Sequence, residues 1–87
     1  MQFDDIFVFK KERFSVGIER DSKKYFLSIP VNNGLVEYEE YYEIDKADFE
    51  RFSSSLDSMR ETAALCRARK NDARLLQQPG KKRGSPT

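Results

Sequence analysis

The stretch that most constrains this chain is residues 31–45, VNNGLVEYEEYYEID, which carries a turn, an acidic aromatic strand and a helix start without a break. Asn32, Asn33 and Gly34 predict a hairpin loop, because Asn and Gly supply the positive φ that such turns need. Setting Val31 against Val36 brings Ile29 to Tyr38, Leu27 to Glu40 and Tyr25 to Tyr42 on one face. On the other, Ser28 meets Glu39, Phe26 meets Tyr41 and Lys24 meets Glu43. One face is then apolar except for Glu40, and the other is acidic and aromatic. A slip of one residue would set Ile29 against Glu37 and Leu27 against Glu39, so the pattern itself rejects it. A four-residue loop also leaves Pro30, which has no N–H to donate, at a non-hydrogen-bonded pair.

Upstream, residues 6–9, 14–20 and 23–31 are short runs rich in aromatic and β-branched residues. With Asp21-Ser22 as a second tip, Ile18 meets Tyr25, Val16 meets Leu27 and Phe14 meets Ile29, so the same face stays apolar. With Lys11-Glu12 as a third, Phe9 meets Phe14 and Phe7 meets Val16, leaving Ile6 and Val8 on the reverse face. The expectation is an α+β fold: a four-stranded antiparallel meander followed by one or two C-terminal helices packed on one face.

Helix signals begin at Asp45, a good N-cap, with Asp48 in the first turn and Ile44 and Phe49 at staple spacing. Phe49, Phe52, Leu56, Met59, Ala63 and Cys66 then recur at steps of three and four, one apolar stripe suited to cover the apolar sheet face. Ser53, Ser54 and Ser55 interrupt the stripe. Ser54, or Ser58 with Glu61, would cap a second helix, giving helices at about residues 46–52 and 55–70 in place of one long helix. Leu75 and Leu76 are expected to anchor the following segment, as a short strand or over Ile6 and Val8. Residues 1–78 then form a single domain, and residues 79–87 a disordered basic tail.

Eighty-seven residues allow one small core and a binding surface, with little room for a deep enclosed site. No apolar run approaches the roughly 18 residues of a membrane span, and no signal segment leads the chain, so a cytoplasmic protein with no membrane association is expected. Cys66, the single cysteine, sits on the apolar stripe and reads as a buried structural thiol. The chain has no histidine, the usual base near neutral pH and the commonest metal ligand. No nucleophile with a base, phosphate loop or metal-ligand spacing is present, so neither an enzyme nor a bound cofactor or metal is expected. Residues 1–45 hold six Lys or Arg against ten Asp or Glu, and residues 46–87 hold ten against five, which points to two different surfaces.

The first is the reverse face, where Glu37, Glu39, Tyr41 and Glu43 gather beside Phe26 and carboxylates ring aromatic anchors. That combination suits a cationic protein partner, though charges on a strand face also serve to discourage edge pairing. Glu40, the lone carboxylate of the core face, is expected to pair with Arg51 or Arg60 at the edge of the helical lid. The second surface holds Arg67, Arg69, Lys70, Arg74, Lys81, Lys82 and Arg83, which would meet nucleic-acid phosphates or serve only as a solvated helix end and tail.

The runs YFLSIPVNNGLVEYEEYYEI and CRARKNDARLLQQPGKKRG, about residues 25–45 and 66–84, resemble a family of small proteobacterial proteins of poorly defined function. In shape and size the chain also resembles immunity proteins of contact-dependent inhibition and related polymorphic toxin systems. That resemblance implies a cytoplasmic binder that blocks a toxin domain, often a basic nuclease; the acidic aromatic surface is the expected contact, and a homodimer is also compatible with the sequence. The alternative from the basic segment is a small nucleic-acid-associated regulator.

Overall fold

A computed structural model describes residues 1–52 and 54–87. Four strands, β1 (Phe3–Phe9), β2 (Phe14–Glu19), β3 (Tyr25–Asn32) and β4 (Glu37–Ile44), form an antiparallel meander in sequence order. Two helices, α1 (Lys46–Phe52) and α2 (Leu56–Arg67), follow and cover one sheet face. Phe52, Met59, Ala63 and Cys66 enter a core with Phe14, Val16, Leu27, Ile29, Val31, Tyr42 and Ile44. The periodic stripe therefore packs as the alternating strands require, except at Leu56, which is exposed. Asp45 accepts from the Asp48 N–H at 2.7 Å and starts α1. The cap of α2 is Ser55, whose hydroxyl accepts from the Ser58 N–H, and not Ser54 or Ser58. Ser54 instead closes α1, its N–H and hydroxyl both donating to the Arg51 carbonyl.

The β2–β3 register places Ile18 opposite Tyr25 and Val16 opposite Leu27. The β3–β4 register differs from the expected one by two residues: Val31 pairs with Tyr38, Ile29 with Glu40, Leu27 with Tyr42 and Tyr25 with Ile44. The loop shifts to residues 33–36 because Asn33 turns its own side chain inward, accepting from the Leu35 and Val36 N–H groups, while Asn32 accepts from Gly34. A shift of two preserves the faces, so the apolar and acidic sets stay where alternation puts them.

In β1 the pairing of Phe9 with Phe14 and Phe7 with Val16 holds, but Ile6 is an extra residue between Phe7 and Asp5. Beyond this bulge the faces exchange, and Phe3 joins the reverse side. Gly17 accommodates the irregularity, since a Cβ there would overlap the Asp4 carbonyl.

The segment expected to be a disordered tail is an ordered strap. Leu75 bridges Tyr42, and the Leu76 N–H donates to Tyr41 on the outer edge of β4. Arg83 then reaches Glu40, and the Gly84 N–H donates to the Tyr38 hydroxyl at 2.8 Å, both on the core face. A fifth strand, β5 (Ser85–Pro86), pairs with Val31 and Asn32 on the far edge of β3. Gly84 is needed for this approach, because a Cβ would lie 2.7–2.9 Å from Asn32 backbone atoms. The Thr87 N–H donates to the Pro30 carbonyl on the side away from β4, so Pro30 presents no missing donor to β4. Charge adds to these bonds: Glu40, 6% exposed, takes two bonds from the Arg83 guanidinium instead of meeting Arg51 or Arg60. Arg51 serves Asp48, and Arg60 serves Glu12 and Asp57.

Candidate functional site on the reverse sheet face

Alternation along β4 sends Glu37, Glu39, Tyr41 and Glu43 away from the helices, as the sequence requires. Their neighbours come from three further strands. Tyr41 lies opposite Ser28, and Ser28 opposite Ser15, two small buried residues that leave the ring free to lie across the sheet. Phe3, brought over by the bulge, stacks on Tyr41 with centroids 3.6 Å apart and planes at 9°. Both rings meet the edge-to-face ring of Phe26, at 5.3 and 5.1 Å. Phe26 is itself fully buried, so it is the floor under the Phe3–Tyr41 stack and offers no surface to a partner. The ring that shares the surface with Tyr41 is the half-buried Phe3.

The four carboxylates are not equivalent. Glu37 pairs with Arg13 at 3.5 Å and Glu43 with Lys24 at 3.6 Å, both exposed and screened. Glu39 is half-buried and takes one long bond, from the Ser28 hydroxyl at 3.3 Å. Burial pushes its carboxyl upward, opposed by the Ser28 bond and the field of Arg13 and aided by the fields of Asp5 and Glu37. Asp5 is raised in the same direction, by burial and then by Asp4. Between them the Tyr41 phenol is raised by burial, then by Glu39 and Asp5. Among the described residues neither Asp5 nor Glu39 has an ion-pair partner. Sequence reasoning missed Phe3 and Asp5 because it carried no bulge in β1; Gly17, a glycine inside a strand, was the signal for one.

Glu19 shares this face at the far end and is held differently. Its buried carboxylate accepts from the N–H groups of Gln2, Asp21 and Ser22 and from the Ser22 hydroxyl. These bonds hold it down to about 2, so it is a clamp on the β2–β3 turn.

The basic segment is largely engaged in holding the fold. Arg67 donates to the Glu12 and Arg13 carbonyls, Arg69 to the Gly84 carbonyl, and Arg74 lies 3.7 Å from Asp48. Arg83 is bound by Glu40 and Asp72, and both pairs push its guanidinium upward. Lys70, Lys81 and Lys82 remain exposed. Cys66 is buried, and burial raises its thiol to about 11, far from a reactive thiolate. Among the described residues no group of His, Cys, Asp or Glu is placed to hold a metal ion, and no helix is long and apolar enough to cross a membrane. Comparison of the chain with protein-family models, with curated proteins and with solved structures finds no match.

Proposed function

We propose that this protein is a binding module of the immunity type, which takes a cationic surface of a toxin domain on the reverse face of its sheet and performs no chemistry itself. The observation that carries the reading is Glu39 beside the Phe3–Tyr41 stack, a half-buried carboxylate without an ion-pair partner among the described residues. A lysine or arginine arriving from a partner would supply the missing counter-charge, while the stacked rings supply apolar contact area at the centre. Glu37 and Glu43 form the rim, where charge steers the encounter more than it holds the complex. The toxin as partner rests on the resemblance in shape and size; the cationic character rests on the site. Phosphate binding by the basic segment is the weaker reading, since Arg67, Arg69, Arg74 and Arg83 already have partners within the fold.

The test compares the parent with a Glu39→Lys and Tyr41→Ala double variant as baits in the native host, followed by titration calorimetry on the captured polypeptide. A basic toxin domain bound by the parent and weakened roughly a thousandfold or more by the folded double variant supports the proposal. Equal affinity for both baits overturns it.

A further inference from the structure

The two outer edges of the sheet are finished differently. Leu75 and Leu76 lie along β4, whereas the outer edge of β1 has no partner strand among the described residues. That edge exposes Ile6 (47%), Phe7 (36%) and Val8 (55%), and the chain around it reads Asp4-Asp5-Ile6-Phe7-Val8-Phe9-Lys10-Lys11. Asp5 at one end, apolar residues in the middle and Lys10 and Lys11 just past the other end make this edge complementary to an inverted copy of itself; Asp4 is already bound by Arg20. Lys10 and Lys11 form no ion pair among the described residues. The backbone agrees. The Phe9 carbonyl is turned inward, accepting from Arg13, so the alternation of the ladder turns the N–H and C=O of Val8 to the open edge.

We propose that a second copy of this chain pairs antiparallel with β1 about a two-fold axis through Val8, joining the two sheets into one. In that register Val8 opposes Val8 on the reverse face and Phe7 opposes Phe9 on the core face, while Asp5 comes beside Lys10, the first residue of the turn that follows β1. Ile6 stands outside the count as the extra residue. Every pair keeps to one face, which a displacement by one residue would destroy. The contact also has somewhere to put its rings. A mainly apolar groove of about 370 Å³ runs beside the edge between Phe7, Phe9, Phe52, Leu56 and Met59, with Ser54 and Ser55 also lining it, and Phe9 of the second copy would lie across it. Because such an axis stands perpendicular to the sheet, both Tyr41 surfaces face the same side, a consequence that does not depend on what binds them.

A strand-edge contact buries less than the roughly 1,200 Å² of a standard interface, so the expected dissociation constant is about 10–100 μM. Sedimentation equilibrium of the whole chain from about 5 μM to 1 mM spans that range. The parent should pass from one to two copies. Val8→Lys, which sets two ammonium groups face to face, should raise the dissociation constant at least tenfold while leaving the circular dichroism spectrum unchanged. Asp5→Lys should weaken the dimer, and adding Lys10→Asp in the same chain should restore it. A parent monomeric at about 1 mM, a Val8→Lys variant that dimerises like the parent, or a charge swap that fails to restore would each overturn the proposal. Should Val8→Lys unfold, the charge-swap pair decides alone.

Discussion

Glu39 and Glu40 are consecutive residues of one strand, and the fold treats them in opposite ways. Glu40 points into the core, where Arg83 grips both its oxygens and the Tyr42 hydroxyl donates at 2.9 Å. Glu39 points the other way, keeps one 3.3 Å bond to Ser28 and shares its surroundings with like charges. A carboxylate beneath helices must be neutralised by the chain itself, because leaving it bare would cost a large part of a small domain's stability. A carboxylate on an open sheet face can be left short of partners at small cost, and the shortfall is then available to something that binds.

Removing the grip on Glu40 is the severest way to break this contrast. Arg83→Ala should lower unfolding free energy by about 3 kcal/mol or more in urea titrations, since it strands a buried charge. Replacing both partners by apolar residues, Glu40→Leu with Arg83→Met, should recover most of that loss. If Arg83→Ala unfolds at the urea midpoint of the parent, the strap is not what neutralises Glu40.

Glu19 sharpens the comparison, being a carboxylate of the reverse face that is satisfied as fully as Glu40. Its folded value near 2 lies below the ordinary 4.5, so its contribution is complete above 4.5 and is lost as pH falls toward 2. Glu19→Gln should therefore melt below the parent at pH 7, with the gap closing between about pH 4.5 and 2 in thermal scans. A gap that stays constant across that range would contradict the assignment.

The smallest effect belongs to Glu39. Its folded value is raised, so the penalty it imposes is full at neutral pH and disappears once the carboxyl is protonated. Glu39→Gln should stabilise the protein at pH 7, by under about 1 kcal/mol given its partial exposure, and give no gain near pH 4. A variant less stable than the parent at pH 7 would mean that Glu39 is already satisfied, and the contrast with Glu40 would collapse.

Much of this architecture is legible in the sequence, for local reasons. Alternation and turn residues define strands and faces, and the three- and four-residue steps from Phe49 to Cys66 define the helical cover. The two-residue error in the β3–β4 register came from treating Val36 as a partner for Val31, whereas Val36 is exposed and the Asn33 side chain decides where the loop ends. The bulge at Ile6 was missed because nothing in β1 itself announces it; the glycine that accommodates it sits on the neighbouring strand. The strap was missed for a different reason. Residues 79–87 have the composition of a mobile tail, and no local propensity predicts order there. The clue lay elsewhere, in a lone acid on the core face that demanded a cation, and the one that answers it comes from beyond the helices. At the candidate site the carboxylates and Tyr41 followed directly from alternation, while Phe3 depended on the bulge and Phe26 on knowing what lies over it.

The grip of Arg83 on Glu40 spans 43 residues of chain, and that distance sets an order of events during synthesis. Hairpins such as β2–β3 and β3–β4 form within about 1–10 μs of being available. At roughly 5–20 residues per second, about 2–9 s separate the making of Glu40 from that of Arg83. A sheet closed from residues 1–44 alone would hold Glu40 without its counter-charge and leave β4 uncovered by Leu75 and Leu76. The Glu40–Arg83 pair therefore needs nearly the whole chain, whereas the hairpins need only its first half.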